Sequence, residues 1–118
     1  MHEMSLAAGI VDLALEEMRS RNASGIERIE VEYGALSGIM PEALEMAFHA
    51  QALARGIGRA RLMLKRIPLR MQCNACGAEF GGDDTDAIWQ GCPSCGEELG
   101  YRLLQGRELV LKRIYLDV

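Results

Sequence analysis

Four cysteines are the residues best equipped for chemistry in this chain, and all four lie in one stretch. Cys73 and Cys76 form one C-x-x-C pair and Cys92 and Cys95 a second, with 15 residues between the pairs. Two intervening residues let a tight turn aim both thiolates at one ion about 2.3 Å away, and a second such turn completes a tetrahedron. Gly77 and Gly96 follow the pairs and suit the positive φ that such a turn tends to require. The pattern predicts a structural zinc site with four cysteine ligands. Iron takes the same soft donors, so the sulfur set alone does not separate the two metals. With every position filled by sulfur, no water can be activated, and catalysis at this metal is not expected.

A second set of donors stands at the start, in Met1, His2 and Glu3. An α-amino group, the His2 amide nitrogen and the His2 imidazole Nδ1 can close adjoining five- and six-membered chelate rings. The Glu3 amide nitrogen would complete four nitrogens in a plane, a geometry that favours Ni(II) or Cu(II) over zinc. Glu3 can add a carboxylate oxygen or only place negative charge near a helix start. Without further information, a His at position 2 is usually just an exposed residue on a frayed end. His49, the other histidine, is expected on a helix surface, and the seven methionines at core-like positions as apolar filler.

These donors need elements to hold them. Leu6, Ile10, Leu13, Ala14 and Met18 recur at helical spacing from Ser5, a candidate N-cap, to about Asn22, with Gly25 available as terminator. Ile26 to Tyr33 alternates apolar Ile29, Val31 and Tyr33 with charged Arg28, Glu30 and Glu32, a strand with one buried face. Pro41 opens a second helix with Leu44, Ala47, Phe48 and Leu53 as its apolar stripe and Arg55 and Gly56 at its end. Residues 62–69 and 109–116 share the pattern L-x-L-K-R-I-x-L and read as strands that pair, with the cysteine module projecting from their junction. Tyr101 to Leu104 is a further short strand and Gly106 a turn. The connection from the first strand through the helix to the second is expected to be right-handed and parallel, with the last strand antiparallel.

The expected class is α/β (α+β): a small two-layer sandwich of two helices on a three-stranded mixed sheet, with an inserted zinc-ribbon module. Residues 1–69 plus 105–118 form the main domain and 70–104 the zinc-binding domain. A module of about 30 residues is too small to bury a full core, so metal is expected to hold it together.

Composition narrows the function. The net charge is −4 over 118 residues. From Cys73 to Cys95 there are four acidic residues (Glu79, Asp83, Asp84, Asp86) and no Lys or Arg, which disfavours nucleic acid. No apolar run reaches the about 18 residues that span a bilayer, so no membrane association is expected. Reduced cysteines and the lack of a targeting pattern imply a cytoplasmic location.

Met1-His2-Glu3 leading into an amphipathic helix, Gly34-Ala35-Leu36-Ser37-Gly38 before Pro41-Glu42-Ala43-Leu44, the two cysteine knuckles, and Gly106-Arg107-Glu108-Leu109 occur in this order along the chain. Together they resemble the hydrogenase nickel-incorporation protein family, HypA/HybF. The resemblance implies a non-enzymatic nickel metallochaperone for maturation of [NiFe] hydrogenase. It implies Ni(II), the cargo, on Met1, His2 and Glu3, and structural Zn(II) on Cys73, Cys76, Cys92 and Cys95. The implied partners are a GTPase that inserts nickel and the hydrogenase large-subunit precursor; a homodimer stays open. Members that also serve urease carry histidines beside the zinc cysteines; Gly77 and Gly96 stand there instead, which counts against a urease role. The competing reading is a zinc-ribbon adaptor that binds protein or RNA, without nickel. A zinc hydrolase ranks last, because no coordination position is open.

Overall fold

A computed structural model describes residues 3–118. The elements run α1 (Glu3–Ser20), β1 (Gly25–Gly34), α2 (Pro41–Ala54), β2 (Arg61–Ile67), β3 (Leu69–Cys73), β4 (Glu79–Gly82), a short 3-10 turn (Thr85–Trp89), β5 (Tyr101–Gln105) and β6 (Leu109–Asp117). They build two three-stranded sheets, ordered β2-β1-β6 and β4-β3-β5. The chain divides into two compact units. One comprises residues 1–32, 39–65 and 110–118, the other residues 33–38 and 66–109. The class is mixed α/β with two helices, as the periodicity implies, but the second sheet adds β3 and β4 to the one short strand expected there.

In the first unit the core comes from Ala7, Ile10, Val11, Ala14 and Leu15 of α1 and Leu44, Ala47, Phe48 and Ala52 of α2. Ile26, Ile29 and Val31 of β1 add to it. Full burial of a Leu, Ile or Phe side chain is worth about 1.5–3 kcal/mol. Two stripe residues are misplaced by the sequence reading. Leu13 and Leu53 are exposed, while Val11, Leu15 and Ala52 take the buried positions. In both cases the i, i+3, i+4 ladder is continued by a different neighbour. Helix α1 also begins earlier, at Glu3, so Ser5 lies within it and is no N-cap.

Both helices end on a left-handed residue. Asn22 has φ 56°, its N–H donates to the Arg19 carbonyl, and the Ala23 N–H reaches back to Met18 at 3.0 Å. This is a Schellman ending on Asn, whose short polar side chain tolerates the conformation. Gly25 is therefore not the terminator; it opens β1. At α2 the same arrangement falls on Gly56, with φ 83° and the Ile57 N–H bonded to Ala52.

Residues 62–69 do not pair with 109–116, because β1 lies between β2 and β6. Nor is 62–69 one strand. Pro68 has no N–H and constrains the residue before it, so β2 stops at Ile67 and Leu69 opens β3 in the other sheet. The shared L-x-L-K-R-I-x-L pattern marks the two edges of one sheet. Exposed Lys65-Arg66 and Lys112-Arg113 are the kind of charge that discourages an edge strand from recruiting another chain.

The sheet of the second unit has β3 at its centre, antiparallel to both β4 and β5. Leu69, Met71, Cys73, Phe80 and Cys92 are its buried cluster, with Tyr101, Leu103 and Ile88 packed around them. A small core does exist here, but two of its five buried residues are cysteines. Phe80 and Tyr101 meet edge to face at 5.2 Å. Gly34 cannot be replaced without rearrangement, since an added Cβ would lie 2.0 Å from the Gly106 carbonyl oxygen.

Candidate metal centre

Strand β3 delivers Cys73 at its last position, opposite Tyr101 of β5. The chain then turns on one hydrogen-bond scheme used twice. The Cys73 N–H donates to the Ala78 carbonyl at 2.9 Å and the Gly77 N–H to the Cys73 carbonyl at 2.9 Å. The Cys92 N–H donates to Glu97 at 2.8 Å and the Gly96 N–H to Cys92 at 2.8 Å. Gly77 and Gly96 sit at φ 78° and 81°, the left-handed values for which glycine has no Cβ penalty. An Asn74 N–H to Gly100 carbonyl bond of 2.6 Å ties the two turns together, and the Tyr101 hydroxyl donates to the Glu97 carbonyl at 2.9 Å. Gln72 braces the first turn by donating to the Gly77 carbonyl at 3.2 Å.

The result is a cluster of four sulfurs, all within 4.8 Å of one another. Cys73 and Cys95 approach to 3.6 Å, as do Cys76 and Cys92. A tetrahedron with metal–sulfur bonds near 2.3 Å has edges of about 3.8 Å, so the donors stand where such an ion needs them. No disulfide links them. The first cysteine of each pair is buried and the second exposed, so the cluster opens to solvent on one side.

Electrostatics point the same way. The backbone N–H of Cys95, that of Ser94 and the neighbouring thiols draw the Cys92 thiol down to about 7, against desolvation. At Cys95 the Glu97 amide favours the thiolate, yet Cys73, desolvation and the other two sulfurs outweigh it and push the thiol up to about 12. Cys76 is also raised: the Ala78 amide favours its thiolate, but desolvation and the Cys92 sulfur prevail. Four thiolates packed this closely repel one another, and a divalent cation at their centre removes the conflict. The donor set and its spacing fit a resident tetrahedral ion such as zinc.

Met1 and His2 lie outside the described residues. Glu3 lies in the first turn of α1, and its carboxylate accepts a 3.4 Å hydrogen bond from the Met40 N–H. Met40 is the N-cap of α2 and offers no side-chain cap of its own, so an acid from α1 supplies negative charge where the α2 dipole is positive. Gln51 of α2 also donates to the Met4 sulfur at 3.6 Å, and Arg55 pairs with Asp12 at 2.7 Å. The chain start is thus tied to α2 within the first unit.

Two features escape sequence reasoning. The link from Glu3 to Met40 spans 37 residues, and nothing local announces it. Of the methionines, Met4, Met40, Met46 and Met63 are exposed rather than core filler; hydrophobicity alone does not tell which face of a helix or strand a methionine takes. His49 is exposed, as its place on α2 implies.

The chain is thus a small α/β protein whose second unit brings four cysteines together in one candidate metal centre. The family described as hydrogenase/urease nickel incorporation, metallochaperone, HypA, matches residues 1–116, and the chain belongs to this family. It is 34% identical to the hydrogenase maturation factor HypA of Solidesulfovibrio magneticus, over 99% of this chain and 100% of that protein. It is 38% identical to the HypA of Chlorobium luteolum, over 99% and 97%. The fold is shared with a solution structure of a HypA protein, at TM-score 0.69 and 23% identity over 98% of this chain and 96% of that one. A solution structure of the Ni metallochaperone HypA from Helicobacter pylori is similar at TM-score 0.62 and 22% identity, over 99% and 98%. Among the described residues no helix is long and apolar enough to cross a membrane.

Proposed function

We propose that this chain is a non-enzymatic nickel carrier in the cytoplasm that takes up Ni(II) at its N-terminus and hands it on during [NiFe] hydrogenase maturation. The observation that carries the reading is the closed sulfur cluster. Four thiolates fill a tetrahedron, so the metal they hold, zinc, stays in place and organises residues 70–104. Cargo must bind elsewhere, and residues 1–69 with 105–118 carry that second task.

Nickel then uses the nitrogens of the chain start: the Met1 amine, the His2 amide and imidazole, and the Glu3 amide. Planar nitrogen coordination suits Ni(II) and not zinc. The Glu3 carboxylate, bonded to the Met40 amide, anchors this peptide to α2 and adds negative charge beside the cargo. A site on a chain end can open and release its ion without unfolding anything. The GTPase partner and the hydrogenase large-subunit precursor are the natural donor or acceptor proteins.

The test is a calorimetric nickel titration of the zinc-loaded protein with its native N-terminus. His2→Ala, or an extension that acylates the amine, is expected to abolish nickel binding and leave helix content unchanged. Undiminished affinity in the His2 variant would sink the proposal.

A further inference from the structure

From Cys73 to Gly100 the chain carries six carboxylates (Glu79, Asp83, Asp84, Asp86, Glu97, Glu98) and no Lys or Arg. All six residues are exposed. Arg70 of β3 reaches Glu79 at 3.7 Å, and that is the one ion pair to this group among the described residues. A divalent ion on four thiolates leaves the cluster at about −2 by charge count, which deepens the negative field.

Within this acidic stretch stand two large apolar side chains that the fold does not cover. Trp89, the only tryptophan of the chain, is 81% exposed, and Leu99 is 92% exposed. Trp89 ends the 3-10 turn that Asp84 caps by accepting from the Asp86 N–H at 2.9 Å. Leu99 is fixed by its N–H bond to the Glu97 carboxylate at 3.3 Å, and with Glu97 and Glu98 it rims a concavity of about 540 Å³ beside Cys95. Ile88, next to Trp89 in the chain, packs against the buried cluster, and Trp89 does not. An exposed Trp is a strong anchor at protein interfaces, and its ring face is the best aromatic acceptor for a Lys or Arg cation.

We propose that the 3-10 turn and second knuckle of the second unit, with Trp89 and Leu99 as anchors and the carboxylates of the same stretch as counter-charge, dock a basic segment of a protein partner. Charge selects the occupant. Six acids repel phosphate, so RNA and anionic membranes are rejected by the field that attracts Lys and Arg. The carboxylates steer the encounter and fix register, and the apolar anchors supply burial. This deepens the carrier reading, on which it rests for its choice of protein partners, and it gives the second unit a task that metal alone does not explain.

Because Trp89 is the only tryptophan, its emission reads occupancy directly. The zinc-loaded chain is titrated with purified GTPase partner and, separately, with hydrogenase large-subunit precursor, neither contributing signal after replacement of its own tryptophans. At least one of them is expected to shift Trp89 emission to the blue. The double variant Asp86→Lys with Glu98→Lys is expected to weaken that complex by roughly tenfold or more, and Trp89→Ser by a similar factor measured by calorimetry. Zinc content checks that each variant is folded, and nickel affinity at the chain start is expected to be unchanged. A loss of nickel binding in the parent protein would therefore strike the carrier reading and not this surface. No emission shift with either protein, a complex indifferent to both sets of substitutions, or a shift produced instead by single-stranded RNA or phosphatidylglycerol vesicles would overturn the proposal.

Discussion

The two units hold donors in opposite ways. In the second, each cysteine pair is set by a backbone turn closed with two hydrogen bonds and a left-handed glycine, which brings the four sulfurs within 4.8 Å of one another. In the first, the donors proposed for nickel precede α1, whose Glu3 accepts a hydrogen bond from the Met40 N–H at the entrance of α2. Preorganised sulfur retains a metal; a tethered peptide end can let one go. Under the proposed carrier function the contrast is that between a structural ion and cargo, and it is open to attack from either side.

The largest expected effect is on the cysteine side. Cys73 and Cys92 are buried members of the second unit's small core, and structural zinc can contribute on the order of 10–16 kcal/mol. Cys73→Ser is expected to release the metal and melt β3, β4 and β5, while α1 and α2 retain their circular dichroism. Zinc retained at one per chain after this change would count against the four-cysteine assignment.

Acid is expected to act on the same centre. Without metal the neighbouring sulfurs and desolvation push the Cys95 thiol up to about 12, whereas backbone N–H groups draw Cys92 down to about 7. Metal binding therefore expels protons, and affinity falls as the pH is lowered. Zinc titrations in buffers of different ionisation heats are expected to show proton release that is larger about one pH unit below the Cys92 value than one unit above it. Equal release on both sides would mean that no thiol of the cluster titrates near 7.

The smallest effect concerns the tether. Glu3→Gln keeps the chelating backbone nitrogen and removes the charge at the α2 entrance. It is expected to cost about 0.5–1 kcal/mol in thermal stability and to weaken nickel binding without abolishing it. A variant as inert to nickel as His2→Ala would make the carboxylate a ligand in its own right.

Local signals made much of this molecule legible. The cysteine spacing and the two glycines identified the sulfur cluster, because a knuckle is closed over a few neighbouring residues and needs no distant partner. Alternation in β1 and the Pro41 start of α2 were readable for the same reason. Most failures are non-local. Leu62 to Leu69 looked like one strand because β propensity outweighed Pro68, and its likeness to 109–116 suggested pairing when both are edges of the sheet around β1. Asn22 ended α1 where Gly25 was the more obvious choice. Trp89 and Leu99 gave no sign that they would stay exposed, since exposure depends on what packs above them.

X-ray absorption on one sample loaded with both metals tests the separation of cargo from clasp most directly. The account predicts a nickel edge with nitrogen and oxygen scatterers alone, lost in His2→Ala, beside a zinc edge with four sulfurs at about 2.3 Å. Sulfur in the nickel shell, or a nickel signal that survives the loss of His2, would contradict it.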